Sequence, residues 1–148
     1  MDDIDKGILR VIQEDTRTGY QEIAKRLSIA PSTVHFLIKK LINMGVIERF
    51  SAILNLEKMG YMTIAWIGLS CDPDKIDSVA DILASFDQIQ MVCTASGDHD
   101  LLIQIVAKNE KDLWRFINKN IKTISGVEKD FDVSCFLDVY KKTNSIVV

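Results

Sequence analysis

The chain has 148 residues, 47% of them hydrophobic and 26% charged, with seven glycines and two prolines. That composition excludes a disordered or fibrous chain and supplies apolar material for one ordinary domain or two small ones. The net charge of −3 is unevenly held: residues 1–58 carry nine Lys or Arg against eight Asp or Glu, and residues 59–148 carry nine against thirteen, so a local basic face for nucleic acid is not excluded.

The first elements read as helices. "DDIDKGILRVIQED" places Ile4, Ile8, Leu9 and Ile12 at helical spacing behind an acidic start that suits the positive end of a helix dipole, with Gly7 as its weak point. "TGYQEIAKRL" gives a short second helix with Tyr20, Ile23, Ala24 and Leu27 on one side. A turn, "SIA", leads to Pro31, which is tolerated at a first helical position, and Gly45 marks the end of the third helix. "VIERFSAIL" follows as an expected strand or wing. Helices this short do not persist alone, so the three share one small core as a winged helix-turn-helix.

The second half changes period. Expected strands over "YMTIAWIGLSC", "QIQMVCTA", "LLIQIVAK" and "GVEKDFDVSCFLDV" alternate with two helices. The first helix, "DPDKIDSVADILASF", is expected to start at an Asp72 cap with Pro73 next. The second, "NEKDLWRFINKNI", is expected to be capped by Asn109. The order βαββαβ predicts a ferredoxin-like sandwich, with two helices on one face of an antiparallel sheet. The fold class is therefore α+β, with residues 1–50 as the helix-turn-helix domain, 51–60 as linker and hinge, and 61–148 as the ferredoxin-like domain. In the first strand Ala65, Ile67 and Leu69 alternate with Met62, Ile64 and Trp66, so both faces are apolar. The third strand repeats this, with Leu101, Ile103 and Ile105 against Leu102 and Val106, interrupted by Gln104. Two helices cover only one face, and the other predicts self-association.

On the third helix Val34, Leu37, Ile38 and Leu41 fall at i, i+3, i+4, i+7 and face inward. Ser32, Thr33, His35, Phe36, Lys39, Lys40 and Asn43 are left pointing outward, without one acid among them in a chain holding 21. Hydroxyls near the helix start suit phosphates or base edges, and lysines further along suit phosphates. An exposed Phe36 fits a thymine methyl or a protein interface.

The apolar run Tyr61–Cys71 is too short to cross a bilayer, and "MDDID" is acidic where a secretory leader is basic, so a cytoplasmic protein without membrane partners is expected. Cys71, Cys93 and Cys135 are scattered and predict reduced, buried thiols, with no metal spacing and no catalytic set visible.

Taken in order, "DDIDKGIL", "EDTRTGYQEIAKRL", "PSTVHFLIKKL", "MGVIERFSAILN" and "SGDHDLLIQI" resemble the Lrp/AsnC, or feast/famine, family of transcription regulators over almost the whole chain. The resemblance implies dimers, assembled further into octamers, that bind double-stranded DNA in response to an amino acid or related metabolite held by the ferredoxin-like domains. The D-x-R stretch adds Arg17 to the candidate DNA contacts. The "SGDHD" loop and last strand imply an effector site of Gly97, Asp98, His99, Asp100, Asp130 and Asp132, where four carboxylates suit an ammonium and a cationic side chain. Departures are Ala30 in place of a serine cap, Ser28 in place of a turn glycine, and His35, Phe36 and Leu37 where the family carries arginine, which removes arginine-to-guanine readout.

No cofactor is expected. An enzymatic alternative, a siroheme decarboxylase, is similar in both domains. It would need histidines and arginines, of which the chain has two histidines and the second half one arginine, Arg115. A third reading is a ligand-sensing module whose helix-turn-helix binds protein through Phe36.

Overall fold

In the computed structural model, which describes all 148 residues, the chain divides into two units. One comprises Met1–Ile53 with Lys141–Val148, the other Leu54–Tyr140. The tail beyond residue 140 thus joins the helical unit, outside the 61–148 span expected for the second domain.

In the first unit α1 spans Asp3–Glu14, α2 Tyr20–Leu27 and α3 Pro31–Asn43. A reciprocal cap opens α1: the Asp2 carboxylate accepts from the Asp5 N–H at 2.8 Å, and Asp5 accepts from the Asp2 N–H at 3.2 Å. Ile8, Ile23, Val34 and Leu41 are essentially fully buried and form the centre of the shared core. Gly7 proves to be a point of close approach, because a Cβ there would lie 2.7 Å from Leu27 Cδ2. Gly45 has φ +71° and follows the last turn of α3, as glycine does where a left-handed residue ends a helix. The strand expected in "VIERFSAIL" is absent: residues 46–54 pair with no strand of the single chain, and a ladder needs a neighbour. The tail completes this unit. Ile146 N–H donates to Gln13 Oε1 at 2.8 Å, Gln13 Nε2 returns a bond to Ile146 O at 3.1 Å, and Val148 packs on the core.

The second unit holds β1 (Thr63–Leu69), α4 (Ile76–Ala84), β2 (Ile89–Thr94), β3 (Leu101–Ala107), α5 (Glu110–Phe116) and β4 (Asp132–Cys135). The sheet order is β2-β3-β1-β4 and every pairing is antiparallel, the ferredoxin-like arrangement the element order predicts. Ala65, Ile67, Leu69, Leu101 and Ile103 are fully buried beneath Val79 and Leu83 of α4 and Leu113 of α5. Trp66 faces Gln104, and Gly68 faces Leu102, on the opposite side, where Met62 and Met91 are exposed.

Three boundaries differ from expectation. Helix α4 begins at Ile76 rather than behind an Asp72 cap, because residues 72–75 close a turn, Lys75 N–H to Asp72 O at 2.9 Å. The last strand is only four residues long, though Cys71 and Val127 form an isolated bridge before it. Helix α5 passes into a π-turn over Ile117–Ile121, with Lys122 N–H bonded to Ile117 O at 3.0 Å. Of the cysteines, Cys71 is buried and Cys135 half-buried, and burial first, then the charges of Asp100, Glu128 and Asp72 on Cys71 and of Glu110 on Cys135, pushes both thiols above their usual range. Cys93 is exposed, correcting its expected burial, because it sits opposite Leu102 on the uncovered sheet face.

Candidate nucleic-acid interface and ligand pocket

The turn between α2 and α3 is tight. Ser28 takes the left-handed conformation at φ 54°, and Ile29 N–H returns to Ala24 O at 3.0 Å, closing the end of α2. That conformation is unfavourable for a residue with a Cβ. Pro31 stands in the first turn of α3, and Ala30 gives it no side-chain cap. Val34, Ile38 and Leu41 then bury, Leu37 half-buries, and the opposite face looks out of the unit.

Ser32, Thr33, His35, Phe36, Lys39 and Asn43 are all exposed, with Phe36 at 67%. Lys40 differs from this set in being half-buried and paired. Its ammonium lies 3.1 Å from Oδ2 of Asp5, a carboxylate only 1% exposed, so its charge serves to brace α3 on α1. Burial alone would raise the Asp5 pKa, but the hydrogen bonds from Lys40 and the Asp2 N–H outweigh it and hold the carboxyl below its usual range. Arg17 is exposed and folded onto Asp15, at 3.1 and 3.0 Å, which lowers the Asp15 pKa and raises its own. Tyr20, read from spacing as an inward residue, is 44% exposed and rests its ring 5.6 Å from that of His35. It extends the outward face onto α2. Apolar periodicity counts an aromatic residue as inward and so conceals this placement.

In the second unit a cavity of about 400 Å³ is lined by His99, Trp114, Lys122, Lys129, Asp130, Phe131 and Asp132. His99 Nε2 is 3.1 Å from Asp132 Oδ2, and its ring lies so close against Gly68 that a Cβ at position 68 would collide with it. His99 Nδ1 is buried without a hydrogen-bond partner. The Lys122 ammonium stands 5.5 Å from the centre of the Phe131 ring.

The four carboxylates expected to converge do not. Asp130 and Asp132 line the cavity, and Asp98 and Gly97 are exposed outside its lining. Asp100 is occupied: its carboxylate accepts from Cys71 N–H at 2.9 Å, and its own N–H donates to Leu69 O at 3.0 Å. It joins the end of β1 to the start of β3. Trp114, Lys122, Lys129 and Phe131 were not foreseen from sequence, since only the fold brings α5 and its π-turn beside β4.

Residues 1–48 match the family model described as winged helix-turn-helix DNA-binding, and residues 64–146 match the Lrp/AsnC ligand binding domain. The HTH-type transcriptional regulator FL11 of Pyrococcus furiosus is 35% identical over 148 residues, spanning 100% of this chain and 97% of its own length. The uncharacterized HTH-type transcriptional regulator PH0140 of Pyrococcus horikoshii is 36% identical over 141 residues, 95% of this chain and 89% of that one. Among solved structures, AsnC of E. coli superposes with a TM-score of 0.93 at 22% identity, covering 100% of this chain and 99% of its own. The complex of the transcriptional regulator NMB0573 of Neisseria meningitidis with L-Met gives 0.92 at 24%, covering 99% and 96%.

Proposed function

Since the chain belongs to the Lrp/AsnC family of HTH-type transcriptional regulators, we propose that it is a sequence-specific DNA-binding regulator whose hold on DNA answers to an amino acid or related metabolite. The observation that carries the DNA half is the exposed, acid-free flank of α3, with Ser32, Thr33 and His35 near its start and Lys39 and Asn43 beyond. Hydroxyl and imidazole groups read base edges and Lys39 meets phosphate, while Lys40 holds the helix to α1. Two copies, paired across the uncovered sheet face, read half-sites about one helical turn apart or a multiple of it.

The pocket around His99 supports the effector half. Carboxylates of Asp130 and Asp132 suit an ammonium, and Lys122 and Lys129 suit a carboxylate, so one amino acid head group is met by both signs. That a structural neighbour was solved with L-Met supports the amino acid class. Effector binding acts by linkage: a ligand that prefers one assembly or geometry shifts DNA occupancy by that preference.

Selection of binding sites from random duplex DNA, with and without the twenty amino acids, tests the whole reading. Lys39→Ala is expected to weaken every selected site alike and to flatten the salt dependence by about 0.9 in log–log slope for each phosphate it leaves without a counter-charge. Thr33→Ala or His35→Ala instead changes which sequences are selected. Undiminished binding by Lys39→Ala at every salt concentration refutes the placement of α3 on DNA.

A further inference from the structure

The Leu54–Tyr140 unit carries a second cavity, of about 380 Å³, away from the His99 pocket and sharing no residue with it. Its volume falls within the range of small-molecule sites. Its floor is apolar, from Ile105, Val106, Ala107 and Phe116. Phe116 is held edge-on against Phe86, 5.2 Å between ring centres at 84°, so that part of the floor is fixed.

The wall differs from the rest of the unit in charge. Residues 59–148 are net acidic, yet Lys108, Arg115 and Lys119 all line this cavity. Asp112 is the one acid in the lining, and both its oxygens are engaged: Oδ1 by the Arg115 guanidinium at 2.6 Å, Oδ2 by Asn109 Nδ2 at 2.9 Å. No free carboxylate therefore offers itself to an ammonium. Tyr61, Gln88 and Asn120 add neutral polar groups.

Two backbone irregularities flank the same space. Lys119 and Asn120 lie in the π-turn, and Asn120 Nδ2 donates to the Phe116 carbonyl at 3.3 Å. Gln88 immediately precedes the register shift of β2 between Ile89 and Met91. π-turns are rare and gather at functional sites, and bulges are over-represented beside them.

We infer that this cavity is a binding site for an organic anion with an apolar body and no ammonium group, distinct from the amino acid pocket. The apolar portion lies over Phe116 and the β3 end, and the anionic head is met by Lys119, Lys108 and the second edge of Arg115. The two cavities then sort ligands by the presence of an ammonium, which suits Asp130 and Asp132 in one and finds no partner in the other.

Hexanoate is the probe, with hexylammonium, hexan-1-ol and inorganic phosphate as controls, titrated into the full-length protein while the side-chain amide resonances of Gln88 and Asn120 are followed. Saturable shifts of both resonances by hexanoate, weakened about fivefold in Arg115→Gln and separately in Lys119→Gln, are expected. Hexylammonium and hexan-1-ol should bind at least about fivefold more weakly, and phosphate should not compete. Silence towards hexanoate, equal binding of hexylammonium, competition by phosphate at equal concentration, or unchanged affinity in both folded variants each overturns the site. No DNA and no amino acid enter the measurement, so its outcome is independent of the regulator reading.

Discussion

At the scale of single residues, the contact between Gly68 and His99 fixes one wall of the cavity that His99 lines. A methyl at position 68 would have to occupy the space of the imidazole, and neither a strand backbone nor a ring flanked by Asp132 yields cheaply. Gly68→Ala is expected to cost about 2 kcal/mol in urea unfolding. Adding His99→Ala should restore most of it, a coupling that a double-mutant cycle reads directly. An additive result would show that the ring moves aside freely. Ser28 is the comparable feature in the helical unit, a side chain in a backbone region that glycine enters without cost.

At the scale of elements, α1 and α3 are joined by the Asp5–Lys40 pair as well as by apolar packing. Asp5→Asn removes a buried charge from a partner that keeps some access to water, so a loss of about 2 kcal/mol is expected, below that of a wholly buried pair. The pH dependence follows from the lowered Asp5 pKa: the folded state binds this proton less tightly than the unfolded chain. The stabilisation is therefore complete above about pH 4, the ordinary carboxylate range, and is lost as pH falls through the folded-state value. Urea unfolding of wild type and Asp5→Asn should diverge at neutral pH and converge in acid. Persistence of the full gap at about pH 2 would remove the pair as its cause.

Elements were largely legible in the sequence because period and punctuation agree. Val34, Ile38 and Leu41 marked the inner face of α3, and alternation in "TIAWIGL" marked β1 with two apolar faces. What escaped depends on contacts distant in sequence. Nothing near Lys40 announces that Asp5, thirty-five positions earlier, will claim it. Nothing in "SGDHD" separates Asp100, tied to Cys71, from Asp98, left in water. The docking of Ile146 and Val148 on the helical unit was equally hidden, since three apolar residues at the end of a short tail have no period to read.

At the scale of the molecule, the sheet face bearing Ile64, Trp66, Leu102 and Gln104 has no helix of its own chain over it. Trp66→Glu puts a carboxylate in the middle of that face, an expensive group to bury without a partner. Size-exclusion chromatography with light scattering is expected to show wild type as a dimer or larger and Trp66→Glu as a monomer with its helical content intact. A wild-type monomer at high micromolar concentration would remove the face as an assembly surface. The same face carries the exposed Cys93 sulfur, opposite Leu102 at the β2 edge. Under the proposed pairing this thiol is a chemical clock: an alkylating reagent is expected to tag it quickly in separated chains and slowly in joined ones, with the buried Cys71 as the internal standard.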